Sequence, residues 1–221
     1  MKKLLNLPIA LILISIVISQ SGCLNNKAED QYPDATATAY TLNGTVKLKQ
    51  TDIYGTKLVS WKYGEAVLSA LTGEGDVFAT TKVAADGTFT LVLPATISGS
   101  YFSNLADVAY SQGGTIKVTP EAVRVFGSTE FKVDYTDKGQ AKSLNISLAT
   151  LNTDLAANRT YYFNFYDIDG TFIGKGKAGN VFNWTFTKGW GIVETYIIYG
   201  TTNTINTKTV TVVPENAVWA N

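Results

Sequence analysis

The sequence predicts an all-β protein built as antiparallel β-sandwich, and three observations carry that expectation. Short segments alternate apolar and polar residues with the period of two that puts one face of a strand on a core. Turn signals rich in Gly, Asn and Asp fall about every ten residues, a spacing suited to a sandwich. No window of eleven residues carries an apolar stripe of helical period.

The first clear strand is Tyr40 to Lys49, where Tyr40, Leu42, Val46 and Leu48 share a side and Thr41, Asn43, Thr45 and Lys47 take the other. Thr51 to Gly64 reads as a loop, and Ala66 to Leu71 as the next strand. Val77 to Val83 and Thr88 to Leu93 flank Ala84-Ala85-Asp86-Gly87, and the Asp-Gly pair supplies the positive φ of a tight hairpin turn. Ile97 to Gly114 is a looser region, followed by short strands at 115–118 and 123–126.

The second half is richer in strands. Phe131, Val133 and Tyr135 alternate with polar residues, as do Leu144, Ile146 and Leu148. Tyr161 to Asp167 and Thr171 to Lys175 bracket a second Asp-Gly pair read as another hairpin, and Val181 to Thr187, Trp190 to Tyr199 and Ile205 to Val213 complete the set. The expected organisation is two tandem small sandwiches, residues 38–122 and 123–221, with one continuous domain as the alternative. Asp-Gly-Thr-Phe occurs at 86–89 and at 169–172, but the flanks differ, so a shared turn preference explains it better than duplication.

Gly44-Thr45-Val46, Ala66-Val67-Leu68 and Asp86-Gly87-Thr88-Phe89-Thr90-Leu91-Val92-Leu93-Pro94 together resemble the transthyretin-like, carboxypeptidase-regulatory-type β-sandwich modules of secreted bacterial proteins. The resemblance implies a structural or interaction unit without catalytic residues.

The N-terminus carries an address. Lys2 and Lys3 precede an apolar run from Leu4 to Ile18, and Ser19 to Gly22 are small or polar, the three parts of a signal peptide over residues 1–22. About fifteen apolar residues at roughly 1.5 Å each fall short of the ~30 Å bilayer core. Ser21-Gly22-Cys23 resembles the lipobox of Bacteroidota-type bacterial lipoproteins, with Gln20 where an aliphatic residue is usual. That resemblance implies lipid attachment at Cys23 and residence in the cell envelope on the outer membrane, on its periplasmic or its surface side; Leu24 to Asp34 is polar, without period and contains Pro33, so residues 23–37 read as a tether. Two or three acyl chains, at about 0.8 kcal/mol per buried CH₂, hold such a protein to a membrane stably.

Composition narrows the function. The leader takes two of the 18 basic residues, leaving 16 against 18 acidic ones and a net charge of −2. With only Arg124 and Arg159 as guanidinium groups there is no basic field, so no nucleic-acid partner is expected. The sequence has one cysteine and no histidine, which removes His-dependent triads and His-ligated zinc. Carboxylates such as Glu65, Glu74, Asp134 and Glu194 form no pattern, and Asp167-Ile168-Asp169-Gly170 lacks the later ligands of a calcium loop. No enzyme activity, cofactor or metal is expected.

The aromatic residues, 12 Tyr, 10 Phe and 4 Trp, point to binding. If Tyr161, Phe163 and Phe165 face the core, Tyr162 and Tyr166 stand on the other face, near the row Phe182, Trp184 and Phe186. Tyr162, Tyr166 and Trp184 are therefore the candidate platform for a carbohydrate or protein partner. The alternative is a structural subunit, since a lipobox ahead of a transthyretin-like sandwich also resembles fimbrillin-type surface proteins. The resemblance implies maturation by cleavage at an arginine, and the positions of Arg124 and Arg159 inside expected structure count against it.

Overall fold

The computed structural model describes residues 32–52, 55–127, 129–150, 158–199 and 204–221. Its first strands are β1 (Ala35–Thr36), β2 (Tyr40–Asp52), β3 (Gly55–Ser60), β4 (Ala66–Leu71), β5 (Val77–Val83) and β6 (Thr88–Leu93). Then come β7 (Thr96–Ile97), β8 (Ser103–Asn104), the helix α1 (Leu105–Gln112), β9 (Lys117–Thr119) and β10 (Arg124–Phe126). The second half adds β11 (Glu130–Asp137), β12 (Gln140–Thr150), β13 (Arg159–Tyr166), β14 (Gly170–Lys175) and β15 (Val181–Phe186). The chain ends in β16 (Gly189–Ile198), β17 (Thr204–Val210) and β18 (Ala217–Ala220). The fold is all-β, an open sandwich of several sheets.

Two long strands bind the architecture together. The first half of β2 pairs with β6 and its second half with β3 and, in parallel, with β18. Likewise β12 pairs with β11 up to Ile146, with β18 from Ser147 on and with β13 from Leu148 on. Facing β2 and β6 is the sheet β5-β4-β11, whose middle pairing matches Phe131 with Ala70 and Val133 with Leu68. Between these layers lies the largest core, with Leu42, Val46, Leu68, Val83, Leu91, Leu93, Val133 and Phe163 all buried.

Trp219 sits in the middle of that core. Its indole stands edge-on to Phe131 at 4.8 Å and to Phe89 at 5.5 Å, and lies nearly parallel to Phe163 at 6.1 Å. Gly44 makes the room, because a Cβ there would lie 2.3 Å from Trp219 Cδ1. Trp219 belongs to β18 and Gly44 to β2, so the last strand of the chain plugs the sandwich that the first long strand opens.

Several expectations meet a different outcome. The boundary at 122/123 is crossed by the β4–β11 and β2–β18 pairings, and the largest core takes residues from both sides of it. Alternation reports which face of a strand is buried and carries no information on which strand lies beside it, so shared sheets were invisible. The loop expected at 51–64 contains β3, paired to β2 from Lys47↔Ser60 onward; as an outer strand with Leu58 exposed, it lacks a strong apolar face. The looser region holds α1, whose N-terminus is capped by Asn104 Oδ1 accepting from Ala106 N–H at 2.8 Å. Only Leu105 and Val108 of α1 are buried, too short a stripe to stand out.

The two Asp-Gly pairs do different work. At the first, Gly87 has φ +89° and the Ala84–Thr88 backbone pair closes the turn at 2.8 Å. The strands it joins then part, β5 to β4 and β6 to β2. At the second, β14 pairs with β15 and β9 and not with β13, so no hairpin forms there. Gly170 is needed for space, since a Cβ would lie 2.7 Å from Thr119 O and 2.9 Å from both Phe186 and Val123.

The last part of the expected tether is docked on the body. β1 pairs with β7, Asp34 Oδ1 accepts from Gly99 N–H at 2.9 Å, and Arg124 Nη1 donates to Pro33 O at 3.1 Å. The guanidinium also lies 4.9 Å from the Tyr32 ring centre. Composition reads 32–37 as linker because its partners are distant residues. Residues 1–31, including Cys23, lie outside the described part.

Candidate functional site: an aromatic-walled cavity

The site begins with a sheet that curls. Its order is β10-β13-β16-β17-β15-β14-β9. In a flat sheet β13 and β15 would lie three strand spacings, about 14 Å, apart. Yet Tyr166 of β13 stacks on Phe186 of β15 with ring centres 3.8 Å apart and planes 7° from parallel. The first and last strands of the series, β10 and β9, are joined by residues 120–123 alone, so the sheet wraps almost onto itself. The helix α1 packs beside this seam and contributes Leu105 and Val108 to the second core.

Curling turns one face of every strand inward. Phe182, Trp184 and Phe186 alternate with exposed residues along β15 and all point to the inside. Phe172 stacks on Trp184 at 4.8 Å and meets Phe182 edge-on at 5.2 Å. The Trp184 indole N–H donates to Thr207 Oγ1 at 2.8 Å, which fixes the ring and satisfies its polar edge. Small residues make room elsewhere: at Gly191 a Cβ would stand 2.9 Å from the Tyr166 ring.

This corrects the expected exposed platform. Tyr166 has no exposed surface and Trp184 is buried, while Tyr162 is half-buried. β13 is covered on both faces, since Tyr161 and Phe163 enter the first core, Phe165 a third, and Tyr166 the second. The sequence pattern finds the two aromatic faces; it cannot find that a curled sheet hides the second.

Packing inside the curl is incomplete. A cavity of about 60 Å³ remains, walled by Phe172, Phe182, Trp184 and Val193, with Tyr162 and Asn164 from β13. Val108 and Gln112 of α1 close one side. Asn164 is buried, its Nδ2 donates to the Tyr166 hydroxyl at 3.2 Å, and its Oδ1 has no hydrogen-bond partner. No sequence signal marks Asn164, a lone polar residue in Tyr-Tyr-Phe-Asn-Phe-Tyr, apart from its being polar in an otherwise aromatic strand.

Burial raises the phenols of this strand. It pushes Tyr162 up to about 12 and Tyr166 higher still, the hydrogen bond from Asn164 working slightly the other way. On the other face Tyr161 is pushed up to about 12 by burial and then by the Glu194 carboxylate beside it. An unfolded tyrosine ionises near 10.0, so above that pH the unfolded chain loses protons that the folded chain keeps. Stability contributed by these phenols is intact below pH 10 and falls as the pH rises toward 12. A urea titration series across that range is expected to show the decline, and Tyr162→Phe to lessen it.

The charged groups lie elsewhere. Glu194 is buried with Lys208 Nζ at 3.4 Å, Arg159 Nε at 3.8 Å and the Tyr161 hydroxyl at 3.4 Å, so its carboxylate is matched by two cations. Asp134 accepts from the Ser143 hydroxyl and pairs with Lys132 at 3.2 Å on an outer face. Glu65 and Glu74 are exposed. Asp167 is held by Arg124, and Asp169 Oδ1 accepts from Lys188 N–H at 2.7 Å. Among the described residues no group of three or more acidic or cysteine side chains is placed to hold a metal.

Comparison with protein-family models, with curated proteins and with solved structures finds no match for this chain. The reading of function therefore rests on the geometry of the chain itself.

Proposed function

We propose that this chain is a non-catalytic binding module, lipid-anchored through Cys23 outside the cytoplasm, that holds its ligand in the cavity of the curled sheet. The observation that carries the proposal is the cavity with Asn164 in its wall. Protein interiors are packed to the density of organic crystals, and buried polar atoms are almost always paired. Space beside an unpaired amide oxygen offers a hydrogen-bonding occupant a place to sit. A recessed aromatic wall favours a small molecule over the carbohydrate chain or protein surface that an exposed platform would take.

The leader and Ser21-Gly22-Cys23 support placement at the outer membrane. Two measurements test the reading. Wild-type protein is expected in the membrane fraction and Cys23→Ser in the released fraction; retention of the variant would refute the anchor. A thermal-shift screen of the full-length chain is expected to find small molecules that raise the melting temperature, an effect lost when Val193→Phe fills the cavity. Ladders of the unreduced native protein on a gel would instead favour the fimbrillin-like structural subunit.

A further inference from the structure

We infer that the cavity takes a small neutral molecule, largely apolar and carrying one O–H or N–H donor, which it presents to Asn164 Oδ1. The inference rests on the binding reading above and narrows it to a ligand class. Size, charge and hydrogen bonding each contribute a constraint.

Size comes first. One water needs about 10–15 Å³ of such space, and an apolar cavity of about 150 Å³ takes benzene. The 60 Å³ found here lies between, and suits a molecule of a few non-hydrogen atoms.

Charge comes second. Of the residues that wall the cavity, none is Asp, Glu, Lys or Arg. An ion entering it would shed its hydration and find no counter-charge, a cost that ordinarily makes such groups neutralise or stay out. The occupant is therefore neutral.

Hydrogen bonding decides the last point. Three polar groups in or behind the wall are already committed: Trp184 N–H to Thr207 Oγ1, Asn164 Nδ2 to the Tyr166 hydroxyl, and Asn180 Oδ1 to Ile205 N–H at 3.1 Å. Among the buried side-chain atoms of the described wall residues, Asn164 Oδ1 alone lacks a partner; Tyr162 and Gln112 are half-buried at the rim. Asn164 Oδ1 is an acceptor with two lone pairs, so it discriminates for a ligand that donates. A site built to hydrogen-bond one group rejects an otherwise equal molecule that lacks it.

The test compares 2-propanol with acetone, two molecules of one skeleton that differ in whether the oxygen donates. The full-length protein is titrated with each while the Trp184 indole N–H resonance is followed by NMR. The expected result is that 2-propanol shifts the resonance with about tenfold tighter affinity, the discrimination of one neutral hydrogen bond. In Asn164→Leu combined with Tyr166→Phe, both hydrogen-bonding partners become apolar together, and the preference for 2-propanol over acetone is expected to vanish. The wild-type ratio decides the inference even if that variant fails to fold. Equal affinities would overturn the donor requirement and leave the binding module standing. If neither molecule moves the resonance and water alone is detected at Asn164, both the ligand class and the binding reading fall.

Discussion

Tyr166→Ala is expected to cost about 3–5 kcal/mol of stability, the range for removing a large buried aromatic side chain. The ring has no exposed surface and stacks on Phe186 at 3.8 Å. Gly191 on β16 leaves its side-chain space to it. Truncation would therefore open a cavity that its neighbours are poorly placed to fill. It would also strip Asn164 Nδ2 of its acceptor, leaving the whole amide unpaired. Tyr166→Phe keeps the ring and loses only the bond, so about 1 kcal/mol is expected. Urea unfolding at constant m-value measures both. If Tyr166→Ala left the midpoint unchanged, the ring would have to lie on an open face, as an exposed platform requires.

Asp167→Ala is expected to be of comparable size. Asp167 Oδ1 accepts from Arg124 N–H and Oδ2 from Arg124 Nε, both at 2.7 Å, and the side chains are only 9% and 13% exposed. Removing one member of a buried pair leaves the other charge without compensation, a loss of about 3–5 kcal/mol. The guanidinium also lies 5.1 Å from the Phe102 ring centre and holds Pro33 and Tyr32. The same substitution is thus expected to expose residues 32–34 to protease. Arg124→Met combined with Asp167→Ala should recover part of the loss, because no unpaired charge remains. If the double variant were as unstable as the sum of the single ones, the pair would not be coupled.

Much of the fold is legible in the sequence because strands write their burial in alternate residues. The faces of β2, β6, β11, β12 and β15 follow Leu42 to Leu48, Phe89 to Leu93, Phe131 to Val133, Ile146 to Leu148 and Phe182 to Phe186. Neighbours are another matter, since hydrogen bonds between strands are made by backbone that is nearly the same at every residue. β18 illustrates this: Ala-Val-Trp-Ala offers little pattern, yet it inserts between β2 and β12 and brings Trp219 to the core. Asp-Gly was equally ambiguous, because a glycine may be required for a positive φ, as at Gly87, or for close approach, as at Gly170.

The site is half legible. The twofold aromatic pattern of β13 correctly separates Tyr162 and Tyr166 from Phe163 and Phe165. What cannot be read is that a sheet whose two ends are linked by residues 120–123 must roll up, turning an outward row into a cavity wall. Asn164 was hidden for a related reason. An asparagine between two phenylalanines reads as an exposed polar position, and only the roll places it inside.

The enclosure of β13 also sets a clock. It is bonded along its length to β16, and on its other edge to β12 near its start and β10 near its end. Most of both faces lies under aromatic side chains, so its inner amides are shielded from local fraying. Amides of Phe163 and Phe165 are expected to exchange with deuterium only when the whole molecule opens, while those of β3 exchange far sooner. The slowest amides in the protein would then report the global unfolding free energy from a single strand.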